Sequence, residues 1–275
     1  MKRTLGTFLA AGAFVITGGS CSDDVGLPDA RPPTDAPAPG QLMVSWTVGH
    51  QGAPITCAEI AGSSVTVEIV PVGAVFGVVD SFSCGSAVGT SRLLPPGEYD
   101  LELSLEGSGG TLNGPVRRLA VRVTTGAVVA VDPVAFDVDP HGDLAFNITT
   151  PGTGSDNCGA MPGGAGITAV RIELRDAGGT CVPTMFAIAA GATTGLPAGS
   201  YNSDCATASF SCIGSDQQVT AQDIRSGQRS MVLTGLVGAN ACWRRTSSFV
   251  ARAAGFTTTL NAQQLIRDTV LCPVN

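Results

Sequence analysis

From Tyr99 to Glu106 apolar and polar side chains alternate, with Tyr99, Leu101, Leu103 and Leu105 on one side and Asp100, Glu102, Ser104 and Glu106 on the other. A period of two sets each group on its own face of a strand, one face dry and one wet. Leu119, Val121 and Val123 alternate in the same way with Ala120, Arg122 and Thr124, and Val170, Ile172 and Leu174 with Arg171, Glu173 and Arg175. One-sided alternation belongs to antiparallel sheets with a solvated outer face, and two such sheets bury their inner faces against each other. Strands are expected near 41–48, 64–71, 78–84, 89–94, 98–106, 117–124 and 127–137, a number and spacing that suit a β-sandwich.

A repeat extends this reading. Leu94-Pro95-Pro96-Gly97-Glu98-Tyr99 returns as Leu196-Pro197-Ala198-Gly199-Ser200-Tyr201, and Leu42, Val44 and Trp46 match Leu144, Phe146 and Ile148 at the same offset of 102. Proline and glycine turn the chain before a tyrosine opens the next strand, and the tyrosine hydroxyl is expected to bond a nearby carbonyl, as in a tyrosine corner. On this turn the copies resemble the prealbumin-like and carboxypeptidase-regulatory-like sandwich modules of bacterial envelope proteins, a resemblance that implies fold more than function. The expected fold class is all-β, with two tandem antiparallel sandwiches of the Ig-like or prealbumin-like kind. Residues 41–138 form the first module and 143–275 the second, whose extra length is expected as a disulfide-pinned insertion at about 203–243.

The N-terminal region has a different pattern. Lys2 and Arg3 precede an apolar run from Leu5 to Ile16, the order of an export signal and too short to span a bilayer. Gly18, Gly19 and Ser20 then lead to Cys21, which resembles the lipobox of bacterial lipoproteins. The resemblance implies a signal peptide over 1–20, an acylated Cys21 as the mature N-terminus and attachment to the membrane through lipid. Ser22 after it is compatible with sorting to the outer membrane. A linker over 21–40, rich in proline at 28, 32, 33, 37 and 39, is expected to be an extended tether.

Cysteine parity supports this division. Nine cysteines are odd, but setting Cys21 aside leaves Cys57, Cys84, Cys158, Cys181, Cys205, Cys212, Cys242 and Cys272, an even set suited to disulfides in an oxidising compartment. The repeat pairs Cys57 with Cys84 and Cys158 with Cys181. For the rest the favoured pairing is Cys205 with Cys212 and Cys242 with Cys272, two further pairings remaining open.

Composition narrows the chemistry. Fifteen basic residues against 22 acidic ones leave a net charge of -7, which disfavours nucleic acid as a partner. Lys2 is the only lysine, so phosphate-loop and Schiff-base chemistry lack their ammonium group once the signal is removed. Two histidines, His50 and His141, lie outside any recognisable nucleophile motif. Asp137, Asp139 and Asp143 form the one oxygen-rich stretch and open like a calcium loop, but His141 stands at a ligand position and Ile148 where a glutamate is needed. Trp243, with Arg244 and Arg245, is the candidate contact surface for a glycan or protein. No cofactor pattern occurs. The expected role is therefore a non-catalytic, lipid-anchored envelope protein that presents its modules to a protein or glycan ligand. The alternatives are a secreted hydrolase, or an accessory domain of one, with a site across the module junction, and a carbohydrate-binding module built on Trp243.

Overall fold

Leu42, Val44, Trp46 and Val48 face inward from the first strand, β1 (Gln41–His50), while the residues between them face out. The structure, a computed structural model, describes residues 37–151, 156–191, 197–205, 208–270 and 272. Among these the single helical element is a three-residue 3-10 turn at Cys84–Ser86. After β1 come β2 (Ala53–Pro54), β3 (Gly62–Pro71), β4 (Val78–Ser83), β5 (Val88–Thr90) and β6 (Gly97–Gly107). The first half ends with β7 (Gly110–Val123), β8 (Val128–Ala130) and β9 (Val134–Asp137). One sheet gathers β2, β5, β8 and β9 around β1, and the other runs β4-β3-β6-β7. Val65, Val67 and Ile69 of β3 and Tyr99, Leu101, Leu103 and Leu105 of β6 close on the inward face of β1, giving one core between two layers.

The second half repeats the scheme. It begins with β10 (His141–Thr149), β11 (Ala169–Arg175), β12 (Cys181–Val182), β13 (Thr184–Ile188), β14 (Gly199–Ser203) and β15 (Phe210–Ser211). It continues through β16 (Gln218–Arg225), β17 (Gly227–Val237), β18 (Asn240–Ala251), β19 (Thr257–Thr259), β20 (Gln263–Gln264) and β21 (Ile266–Arg267). Its sheets run β14-β13-β16-β10-β19, with β20 also on β10, and β12-β11-β17-β18-β21, with β15 also on β11. The central strands have matching partners: Val44 faces Gly89 and Trp46 faces Val134, while Phe146 faces Val219 and Ile148 faces Gln263. In both halves the late partners of the central strand run parallel to it, because the chain crosses from one sheet to the other before returning. The sheets are thus mixed at these edges rather than wholly antiparallel.

This register moves the boundary of the extra segment. Phe146 stands 102 positions after Val44, but Val219 stands 130 after Gly89, so the added residues lie between β11 and β15 and not at 203–243. They form β12 and the β13–β14 hairpin, which extends a sheet by pairing β13 with β16. Most of 203–243 is instead β16, β17 and the start of β18, regular strands of the two sheets. The tyrosine turns are consequently not equivalent. Tyr99 lies in β6, between β3 and β7, and its hydroxyl donates to the Pro95 carbonyl at 2.8 Å, while Tyr201 lies in β14, paired with β13, and donates to the Ala208 carbonyl. Leu196 falls outside the described residues.

The disulfides follow the corrected register. Cys57 joins Cys84 and Cys242 joins Cys272, in agreement with the sequence reading. Cys158 joins Cys212 rather than Cys181, because Cys212 precedes β16 as Cys84 precedes β5. Cys181 joins Cys205 and ties the two ends of the added segment together. Leu119 is a second correction: it is 70% exposed. Ala120 adopts a positive φ of 52° and the β6–β7 register shifts between Tyr99 and Leu101, so the alternation slips by one and Arg118 takes the inward-leaning place.

A glycine marks close approach in the first core. The Phe82 ring covers Gly89, where an added Cβ would lie 2.3 Å from the ring, and the same ring stacks on Trp46 at 6.2 Å. Gly89→Ala must displace this stack, and a loss of about 1–3 kcal/mol is expected in chemical denaturation, the usual cost of overpacking.

The cores meet within one compact unit, Pro37 to Asn275. Ala253, from the turn after β18, is fully buried in the first core, with Ala254 and Phe256 packed beside it. Arg225 Nη2 meets Glu59 Oε1 at 2.6 Å, and the Ser226 hydroxyl donates to the Glu59 carbonyl.

Candidate functional site

The link between the sandwiches, residues 137–143, gathers both histidines and most of the chemistry anticipated from the sequence. Asp139 Oδ1 accepts from the His141 backbone N–H at 3.0 Å and lies 3.0 Å from His141 Nδ1. Asp223, at positive φ in the bulge where β16 pairs with β10, places an oxygen 3.8 Å from the same nitrogen. Asp137 Oδ1 accepts from Gln51 N–H at 3.0 Å and lies 3.8 Å from His50 Nδ1. Burial raises the Asp139 pKa, but the side-chain and backbone hydrogen bonds from His141 and the charge of both histidines outweigh it, and the carboxyl is held below its usual value.

The link's backbone is equally engaged. Asn113 Nδ2 donates to the Asp137 carbonyl at 2.6 Å, Ala254 N–H to that of Asp139 at 2.8 Å, Ser226 N–H to that of Pro140 at 2.7 Å and Gly255 N–H to that of His141 at 2.9 Å. Turn-forming residues here thus splice one half to the other. The Glu59 carboxyl is likewise held below its usual value, first by the backbone hydrogen bond from Thr56 and with smaller help from Arg225.

This arrangement does not assemble the calcium site. The Asp137 carboxylate is turned to Gln51, that of Asp139 to His141, and Asp143 sits in β10 opposite Thr257. Among the described residues no group of three histidine, cysteine, aspartate or glutamate side chains is placed to hold a metal ion. Beside the link a cleft of about 470 Å³ is lined by His141, Met185, Gln222, Asp223, Arg225 and Arg229, among others. Its two guanidinium groups are committed, Arg225 to Glu59, and Arg229 to the carbonyls of Arg225 and Ser226. Burial lowers the Arg229 pKa, countered by the Asp176 charge, and a guanidinium so tied serves the joint before any ligand.

Trp243 is not a platform. It is buried in the second core, its indole N–H donates to the Ala165 carbonyl at 3.2 Å and Arg267 covers its ring at 5.8 Å, so a sugar has no face to stack on. Arg244 and Arg245 are exposed beside it, without the aromatic surface that made the trio a candidate. Cys21 lies outside the described residues. The residues missed by sequence reasoning are Ala253, Glu59, Arg225 and Ser226; three are ordinary polar residues and the fourth is one alanine among many, and no local pattern distinguishes them.

No family model matches the chain, and no curated protein does. Among solved structures it is similar to the Bacillus anthracis TIE protein at 14% identity, covering 83% of this chain and 34% of that one, with a TM-score of 0.34. The chain thus spans about a third of that protein's length. It is similar at 11% identity to the major pilin of Streptococcus pyogenes, covering 83% of this chain and 96% of the pilin with a TM-score of 0.26. A putative adhesin from Bacteroides ovatus matches at 9% identity, 75% of this chain, 76% of the adhesin and a TM-score of 0.27.

Proposed function

We propose that the chain is an exported, lipid-anchored protein of the bacterial cell envelope whose two sandwiches serve a binding or structural role without catalysis. The observation that carries this reading is cysteine accounting. Four disulfides use eight of the nine cysteines, and the ninth, Cys21, follows an export signal in a lipobox-like setting. The pairing of Arg225 with Glu59 across the joint supports the non-catalytic part, since it occupies the guanidinium beside the cleft. The tether and acylated Cys21 hold the folded part at a membrane, with the outer membrane as the expected destination.

Mass spectrometry of the mature N-terminus tests the anchor. The expected result is a Cys21 carrying diacylglycerol thioether mass, and a Cys21→Ser protein that leaves the membrane fraction. A mature chain that begins elsewhere, or a free Cys21 thiol in the native protein, ends the proposal.

A further inference from the structure

The nine residues from Pro71 to Val79, at the β3–β4 turn, contain no charge and no hydrogen-bonding side chain. Turns normally carry polar residues because they face water. Here Phe76 is 85% exposed, Val75 is 83% exposed, and Val72 and Val79 are each more than half exposed. The turn is shaped rather than slack: Gly73 has φ +83°, Ala74 N–H donates to the Pro71 carbonyl at 2.9 Å, and Gly77 packs so tightly on Ile69 that a Cβ would come within 2.1 Å of its carbonyl oxygen. Its side chains are therefore held outward by the backbone.

The position of the turn matters as much as its composition. Pro71 pairs with Tyr99, Val72 N–H donates to the Glu98 carbonyl, and Gly97 faces Val123 at the end of β7. From there Gly126 N–H donates to the Ala38 carbonyl and Gly40 N–H to that of Leu94, so the fold's first described residues lie at this same end. Leu93 and Val128, both more than half exposed, lie there too. At the opposite end of β3, Gly62 pairs with Gly107, close to Gly109, which packs on Arg252 of the second half. Ten residues of strand, at about 3.3 Å each, set the apolar turn roughly 30 Å from the junction.

The geometry points to a lipid bilayer as the surface met by the Val72–Val79 turn, with Val75 and Phe76 entering the boundary between headgroups and acyl chains. This rests on the lipid-anchor reading for its proximity: fifteen residues lie between Cys21 and Pro37, a span of at most about 55 Å, and it is the turn's end of the fold that they join. Bilayer chemistry suits the patch, which offers aliphatic and phenyl groups and no polar contact a protein partner could read. The neighbouring charges are matched, Glu98 facing Arg122 and Asp80 bonding Arg92, so attraction to lipid is apolar rather than electrostatic. The anchor supplies attachment, and the turn fixes which end of the first sandwich lies against the membrane.

The test uses the chain from Ser22 to Asn275, exported behind a cleavable signal and therefore free of acyl groups, with neutral phosphatidylcholine vesicles. The expected result is weak sedimentation with vesicles that does not change between low and high salt and falls about tenfold in a Val75→Ser/Phe76→Ser double variant, two exposed sites whose loss leaves circular dichroism and unfolding unchanged. Because Trp46 and Trp243 are buried, a Phe76→Trp variant reports the turn, and its emission is expected to shift to the blue on vesicle addition. Equal sedimentation of the double variant, or an unshifted Phe76→Trp signal, overturns the proposal. So does a blue shift that appears without vesicles as the mass doubles, which would assign the turn to a second copy of the chain. The anchor fails separately: an unacylated native Cys21 with vesicle binding intact removes the tether reading and leaves the turn's lipid contact standing.

Discussion

Replacing Cys158 and Cys212 together by alanine is expected to lower stability by about 4 kcal/mol, the largest effect of any single disulfide here. In the loop-entropy description the stabilisation grows with the length of chain closed, and this bridge spans 54 residues against 27, 24 and 30 for the others. It also fastens two segments on which the second core depends, since Cys212 is buried there and Cys158 packs against it. Thermal unfolding checks the magnitude, and the smaller loss expected for the Cys181→Ala/Cys205→Ala pair provides the contrast. Connectivity is checked separately by a non-reducing peptide map. Trypsin alone leaves Cys181, Cys205 and Cys212 on one peptide, but added cleavage after Phe186, Tyr201 and Phe210 separates them. A Cys158–Cys181 peptide would refute the register that aligns β16 with β5.

Asn157→Ala, one residue away, is expected to cost about 3 kcal/mol for a different reason. Asn157 is fully buried, its Nδ2 donates to the carbonyls of Ile148 at 2.8 Å and Ile213 at 2.9 Å, and its Oδ1 accepts from Thr150 Oγ1 at 3.1 Å. Truncation leaves two carbonyls and a hydroxyl dry and without this partner, each at a cost of roughly 1 kcal/mol or more. Asn157→Asp keeps the volume yet loses the donor, and is expected to be at least as damaging because the new carboxylate faces two carbonyl oxygens. Chemical denaturation distinguishes the two accounts: if packing alone mattered, Asn157→Asp would be close to neutral. Since Asn157 and Cys158 share surroundings, the losses from these two changes are not expected to add.

The alternation at Tyr99–Glu106 and at Val170–Arg175 was legible because burial on one sheet face imposes it residue by residue. The turn of the second copy misled because Leu-Pro-x-Gly-x-Tyr encodes a local event, a chain turning into a strand, and Tyr99 and Tyr201 both satisfy it from different places in the sheets. Cysteine spacing misled for a related reason: the Cys158-to-Cys181 interval resembles Cys57-to-Cys84 only because the added segment begins, at β12, with a cysteine of its own. Leu119 escaped because one residue at positive φ inverts a strand's faces without altering its composition. Trp243 looked available because its sequence neighbours are arginines, whereas the partners that bury it, Ala165 and Arg267, lie far along the chain or on another strand. The joint residues illustrate the same limit, for Glu59 and Arg225 are 166 positions apart.

Ala253 belongs by sequence to the second half and by packing to the first. Its methyl group fills space in a core assembled almost entirely from residues before 139, so cutting the chain at the link would leave the leading piece with an unfilled hollow and the trailing piece with a bare apolar loop. With a shared interior and a spliced backbone, the two halves are expected to unfold in one transition rather than two.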